Sequence, residues 1–390
     1  MTRILLLSSY EPPPDGIAKQ SSHLVDAWDS TGNSVLVVSP GRQQFDEAIP
    51  TGSHSKVARS LRLIPRRRVW KEIAAFAPDL VVVQFAIAAL NANLWSVMSL
   101  CKRLSSSEIP IVVTFHEPTR EFNLLGPLTR WIYRAMAHLT DVPVVFSSAG
   151  RQALIADGLF SQVVEVPLGT TGVTEISDED VARVKDLYDL RKPLVLTLGF
   201  TSFDKGADIL IDAAATIAED QGKNVQFLIA GSPRKRRGLF RVMERRDFKC
   251  QELLKKRADE IKDVDIAFSD YVAQENVAAL LFAADVVVLP YRRIAQSGVA
   301  NLALSSQSVI VSSDLPGLRS DLGETAKYVV VGDAEAMAEQ VGQLLGDDKA
   351  TIRSDMRRLT GERAAKNTYA VAAKGILSAG LAHRDTTSAT

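Results

Sequence analysis

The chain has 390 residues, 46% of them hydrophobic and 24% charged, which is an ordinary globular composition with length for two or three domains. Lys plus Arg and Asp plus Glu both number 46, so no net positive charge steers the protein toward nucleic acid. Two cysteines, Cys101 and Cys250, rule out a disulfide framework and a thiolate metal cluster. The opening MTRILLLSSYEPPP is too briefly apolar for a signal-peptide core, and no run reaches the roughly 18 apolar residues of a membrane span. The expected location is the cytoplasm.

In chain order, short apolar runs predict strands at Ile4–Leu7, Ser34–Ser39, Asp79–Gln84, Ile111–Phe115, Val142–Phe146 and Val163–Val166. The second half predicts them at Pro193–Leu198, Val225–Ile229, Val264–Ala267, Asp285–Leu289, Val309–Ser312 and Tyr328–Val331. Runs without polar alternation suit strands covered on both faces, and most gaps leave room for a crossover helix. Residues 1–140 carry 15 basic and 11 acidic residues, whereas 141–192 carry 5 and 9, and the stretch from Gly172 opens polar and acidic. The expected fold is therefore α/β, with two doubly wound Rossmann-like domains facing a cleft. Residues 1–170 form the first, 171–192 a linker and 193–356 the second. A last helical pattern lies within Arg357–Leu377, and the polar tail ending HRDTTSAT is expected to fray.

Ligands of such sheets bind beyond the carboxyl ends of the strands. After the first strand come Asp15, Gly16 and a helix reaching about Ser30, which reads either as an anion-binding loop or as a proline-stiffened turn. The spacing is not GxGxxG, which counts against NAD and FAD. His116 follows the strand ending at Phe115, where an imidazole can reach a ligand hydroxyl or phosphate. His23, inside the first helix, reads as structural. No histidine cluster exists, so no protein-built metal site is expected.

In LTLGFTSFDKGADIL, a strand ends near Gly199, a loop carries Phe200 and Lys205, and Gly206 opens a helix. An ammonium beside a helix start suits a diphosphate, although the same letters describe a solvated lysine. Further on, Tyr291, Arg292, Arg293 and Gln296-Ser297-Gly298 precede a helix holding Asn301. That arrangement fits an amide-rich anion or sugar site, or an ordinary N-cap. Two basic stretches, RSLRLIPRRRVWK at 59–71 and RKRRGLFRVMERRDFK at 234–249, mix arginines with apolar residues. They read as solvated faces or as peripheral contacts with an anionic membrane.

Together these segments resemble the GT-B nucleotide-sugar glycosyltransferases, in particular the retaining glycosyltransferase family 4. The resemblance rests on the strand-plus-DGI opening, His116, VPLGT at 166–170, LGFTSFDKGADILIDA at 198–213, FLIAG ending at Gly231, AADVVVLPY at 283–291 and SVIVSSDLPGL at 308–318. It implies that the second domain binds a nucleotide-diphosphate sugar, that the first shapes the acceptor site, and that the final helix returns to the first domain. It makes Lys205 the lysine at the diphosphate and His116 the histidine at the transferred sugar. It also places Asp15, Gly16, Gly199, Phe200, Gly231, Arg292, Arg293, Gln296, Ser297, Gly298 and Asn301 around the donor.

Three positions depart from that pattern. Phe200 stands where the family usually has arginine, and Arg293 and Asn301 where it often has two glutamates. A subgroup with tyrosine after the proline and a QSG-like loop also lacks the glutamate pair. The implied reaction is retaining transfer of a hexose-type sugar to a hydroxyl acceptor: a lipid-linked glycan, a glycolipid or a natural product. It needs no cofactor beyond the donor substrate, and the leaving diphosphate can take the acceptor's proton. Competing readings are a non-catalytic sugar-nucleotide-binding or partner subunit, and a GT-B-like epimerase or phosphorylase.

Overall fold

The computed structural model describes residues 1–11, 16–40, 49–61, 67–90, 93–116, 118, 121–122, 126–233, 241–294 and 296–388. Parts of both basic stretches, residues 62–66 and 234–240, lie outside the described residues. The chain divides into two compact units, Met1–Gly169 with Asn367–Thr390, and Thr170–Lys366. Among the described residues, no helix is long and apolar enough to cross a membrane.

The first unit is built on an eight-stranded sheet. Its strands are β1 (Arg3–Leu7), β2 (Ser34–Pro40), β3 (Ile49–Pro50), β4 (Lys56–Leu61), β5 (Leu80–Phe85), β6 (Ile111–Phe115), β7 (Val142–Val145) and β8 (Val164–Glu165). Their order is β3-β4-β2-β1-β5-β6-β7-β8, parallel except for the β3–β4 pair. Ile4–Leu7, Leu80–Val83 and Ile111–Val113 are fully buried, because helices cover both faces of the central strands. β3 and β4 escape the sequence pattern. β4 reads KVARSL, an edge-type strand with interspersed charges, and its turn is held from outside: Asp29 accepts from the Ser53 and His54 amides at 2.9 and 2.8 Å and from Ser55 Oγ at 2.7 Å.

The second unit has a six-stranded, wholly parallel sheet. Its strands are β9 (Leu194–Leu198), β10 (Gln226–Ala230), β11 (Asp265–Ser269), β12 (Val286–Leu289), β13 (Ile310–Ser313) and β14 (Ala326–Val329), in the order β11-β10-β9-β12-β13-β14. Strand order reverses between β9 and β12 here, and between β1 and β5 in the first unit. At such reversals neighbouring crossovers diverge to opposite faces, and a crevice opens at the carboxyl edge. Both sheets are the expected doubly wound α/β type.

The chain differs from expectation at its joints. Residues 171–192, read as a linker, belong to the second unit: the helix Asp178–Leu187 carries a Ser177–Asp180 capping box and buries Val184 completely. The single C-terminal helical pattern is two helices, Ala350–Lys366 in the second unit and Tyr369–Ser388 in the first. The tail does not fray after Leu377. Ala372, Ala373 and Ile376 are buried in the first core, and a Cβ on Gly380 would lie 2.5 Å from Leu80 Cδ1 and 2.9 Å from Val112 Cγ2. That close packing carries the helix on to Ser388.

Candidate active site

At the reversal of the second sheet, the loops after β9 and β12 are tied together. The β9 loop closes in one short 3-10 turn, Phe203–Lys205, ended by Gly206 in the left-handed region at φ +64°. A Cβ on Gly206 would sit 1.9 Å from the Pro290 carbonyl oxygen, so only glycine fits against the end of β12. The Arg292 amide donates to the Asp204 carbonyl at 2.9 Å, and Arg292 Nη1 donates to the Phe203 carbonyl at 3.2 Å. The helix Ala207–Asp220 starts directly after Gly206 with no side-chain cap, which leaves its first amides pointing to the carboxyl edge.

Lys205 stands at this junction with its ammonium 3.7 Å from the centroid of the Tyr291 ring. Tyr291 is 1% exposed, and its hydroxyl has no hydrogen-bond partner among the described residues. The charges around Lys205 cancel one another. Arg292 makes a two-pronged pair with Asp208 at 2.7 and 2.6 Å, which raises its already high pKa, and Arg293 pairs with Asp204 at 3.2 Å. Lys205 forms no ion pair among the described residues and remains the un-neutralised cation of the two loops. An ammonium beside uncapped helix amides is an electrostatic fit for a diphosphate.

Two of the arginines expected around a ligand are paired with carboxylates. Arg292, read as facing a ligand, is bound to Asp208 and stacks 4.4 Å over Phe203, so it stitches the Lys205 turn to β12. Arg293 is paired and largely solvated. Gly199 and Gly231 pack backbone to backbone: a Cβ on Gly231 (φ +140°) would lie 1.8 Å from the Gly199 carbonyl oxygen. Thr201 Oγ1 donates to the Gly231 carbonyl at 3.1 Å and holds the β9 loop to the β10 loop. Phe200 beside them is 54% exposed.

Ser297 caps the helix Gly298–Ser305, accepting from the Ala300 amide at 3.1 Å, and Gln296 and Gly298 flank it. Its own amide donates to Asp321 Oδ2 at 3.0 Å. Asp321 is 5% exposed, its other oxygen has no partner among the described residues, and burial pushes its carboxyl up to about 7. The Ser297 amide is thus occupied, leaving the following amides as the available donors. Asn301 is buried one turn into that helix.

In the first unit, His116 directly follows β6 and is 4% exposed, 5.0 Å from the Phe146 ring centroid. Burial drives its pKa down to about 3, so the ring is neutral. Gln84 Oε1 accepts from Thr114 Oγ1 at 2.9 Å and meets His116 Nε2 at 2.5 Å. A neutral imidazole has one donor and one acceptor nitrogen, and the Gln84 side-chain amide engages Nε2. Gly16 opens the first helix and is exposed; a Cβ placed on it would meet no atom within 4 Å. Asp15 lies outside the described residues. His23 is structural, stacked 4.6 Å from the Tyr369 ring. Among the described residues, no group of three or more metal-ligating side chains occurs.

Two family models match this chain in succession. Residues 14–170 match Glycosyltransferase Family 4, and residues 192–347 match Glycosyl transferases group 1. The chain belongs to these glycosyltransferases. No curated relative matches it in sequence. Among solved structures, the glycosyltransferase is similar to sucrose-phosphate synthase from Thermosynechococcus elongatus, at 18% identity and a TM-score of 0.73. It is also similar to a UDP-forming trehalose-phosphate synthase from Burkholderia vietnamiensis, at 16% identity and 0.74, and to Anabaena HepE in complex with UDP and glucose, at 16% and 0.69. All three likenesses cover 100% of both chains, and at these identities they establish the GT-B fold.

Sequence reasoning missed Gln84, Asp208 and Asp321 of this glycosyltransferase. Gln84 was within reach: a polar residue in an otherwise apolar run, in register with Thr114 of the strand that His116 follows. Asp208 and Asp321 act across 84 and 24 residues, and nothing local marks them.

Proposed function

We propose that this enzyme transfers a hexose-type sugar from a nucleotide-diphosphate donor to a hydroxyl acceptor with retention of configuration. One observation carries the reading: the Lys205 ammonium, un-neutralised among the described residues and 3.7 Å over Tyr291, stands where strand order reverses and beside an uncapped helix start. As the sugar–phosphate bond breaks, negative charge grows on the diphosphate. A fixed ammonium and backbone amides stabilise that charge without reorganising. The oxocarbenium-like carbon is then attacked from the face the diphosphate leaves, and the departing phosphate takes the acceptor's proton. No side-chain carboxylate base is required.

The neutral His116 suits contact with a sugar hydroxyl, since its uncharged ring can exchange a hydrogen bond there and its position is set by Gln84. Within the second unit, Gln296, Ser297, Gly298 and Asn301 complete the donor contacts in this reading. UDP-glucose is the first donor to try, since the similar trehalose-phosphate synthase is named UDP-forming and HepE is described in complex with UDP and glucose. The acceptor is a lipid-linked glycan, a glycolipid or a small natural product.

The test is a thermal-shift screen against UDP-, GDP-, ADP- and dTDP-sugars, followed by NMR of the product's anomeric proton with candidate acceptors. The reading expects one nucleotide sugar to stabilise the enzyme and the product to keep the donor's anomeric configuration. An inverted product, or stabilisation by none of these donors, contradicts it.

A further inference from the structure

Three crossover helices of the first unit lie side by side on one face of the sheet: Arg67–Phe76, Leu94–Leu104 and Pro127–Ala137. Their inner faces are satisfied by the core, where Val69, Ile73, Val97, Leu100, Ile132 and Met136 are buried. Their outer faces carry large apolar groups that the core does not use. Trp95 is 47% exposed, Trp131 53% and Leu128 56%, and the two indoles meet at 5.9 Å. A further contact joins the layer, with Arg103 stacked 4.0 Å over Trp70. Three of the chain's 4 tryptophans therefore lie on this layer, and the remaining one, Trp28, is buried elsewhere in the core.

The layer is also strongly basic in a chain whose formal net charge is zero. The three helices contain seven Lys and Arg but a single carboxylate, Glu72. Arg130 is paired with Asp157 at 2.7 Å, whereas Lys71, Lys102, Arg103 and Arg134 are exposed and form no ion pair among the described residues. Trp95 and Lys102 stand two helical turns apart on one stripe, about 10 Å, and Leu128, Trp131 and Arg134 form the neighbouring stripe.

We infer that this face docks on an anionic lipid bilayer, with Trp95, Trp131 and Leu128 entering the headgroup boundary and the exposed cations meeting lipid phosphates. Indoles favour that boundary because one end is apolar and the other donates a hydrogen bond. Cations beside them supply charge complementarity that an apolar protein partner would not need. The placement has a consequence for access. Helices run antiparallel to the parallel strands they connect, so the first turns holding Trp95 and Leu128 lie at the carboxyl edge of the sheet. These two helices flank β6 in the chain, and His116 directly follows β6. A membrane-borne substrate would arrive at that edge.

The test uses the full chain with vesicles of phosphatidylcholine alone and of equal parts phosphatidylcholine and phosphatidylglycerol. Expected results are co-sedimentation with the mixed vesicles, a blue shift of tryptophan emission, and quenching by brominated lipid. The Trp95→Ser/Trp131→Ser double variant should bind on the order of tenfold more weakly per indole removed. Lys102→Gln and Arg134→Gln should each weaken binding about fivefold. Nucleotide-sugar binding in lipid-free solution should be unchanged in all these variants, so failure here leaves the transferase reading standing, and the reverse. No binding to the mixed vesicles, or equal binding by the double variant, overturns the inference. So does self-association in lipid-free solution that quenches or buries these indoles.

Discussion

Replacing Lys205 by Met keeps the apolar stem and removes the charge. In the fold, the ammonium's contact with the Tyr291 ring is a half-buried cation–π pair worth about 1 kcal/mol. Its loss should lower the melting temperature of the second unit by only a few degrees. The ligand term is larger. A charge-assisted hydrogen bond to a phosphate is worth about 1.5–3 kcal/mol, a weakening of roughly 10- to 150-fold in Kd. Because the diphosphate gains charge as the sugar leaves, turnover should fall further, by about 10²–10³. Calorimetry with the matching nucleoside and nucleoside diphosphate separates the effects: the diphosphate should lose affinity and the nucleoside should not. Unchanged diphosphate affinity together with unchanged turnover in Lys205→Met would refute the electrostatic reasoning.

Other outcomes follow from the same geometry. Arg292→Met should destabilise the second unit by about 1–3 kcal/mol, because Asp208 is left partly buried and unpaired, yet leave the local charge balance of Lys205 less positive; a chemical melt with no shift would contradict the stitching role. Gly231→Ala should cost more than about 3 kcal/mol, since the new Cβ meets the Gly199 carbonyl in a backbone region closed to side chains, and a near-normal melt would show that the loops relax freely. Asp321 gives a pH signature. The folded carboxyl holds its proton to about 7 while the unfolded one releases it near 3.8, so its contribution to stability falls as pH rises between those values and is flat above them. Asp321→Asn should flatten that slope and raise the melting temperature at pH 8; a variant that keeps the slope would place its origin elsewhere.

The sheets were legible because their strands are unbroken apolar runs, and every run read as a strand is one. The exceptions teach the limits of that signal. β4 mixes Lys and Arg into a strand near the sheet's edge whose turn depends on Asp29, a residue more than 20 positions away. The Lys205 loop was legible from a glycine, a lysine and a helix start in succession. Its electrostatics were not, because whether Arg292 is a free cation depends on Asp208, and local sequence cannot say which of the nearby arginines finds a carboxylate. The tryptophan face was missed for a related reason. Trp95 and Trp131 sit 36 positions apart, each in an unremarkable amphipathic helix, and only the packing of two crossovers brings the indoles together.

The most direct measurement is a crystal structure with the best-binding nucleoside diphosphate. The account requires phosphate oxygens within about 3 Å of Lys205 Nζ, at the start of the Ala207–Asp220 helix. A diphosphate seated away from that ammonium, with Lys205 still lying on Tyr291, would contradict it.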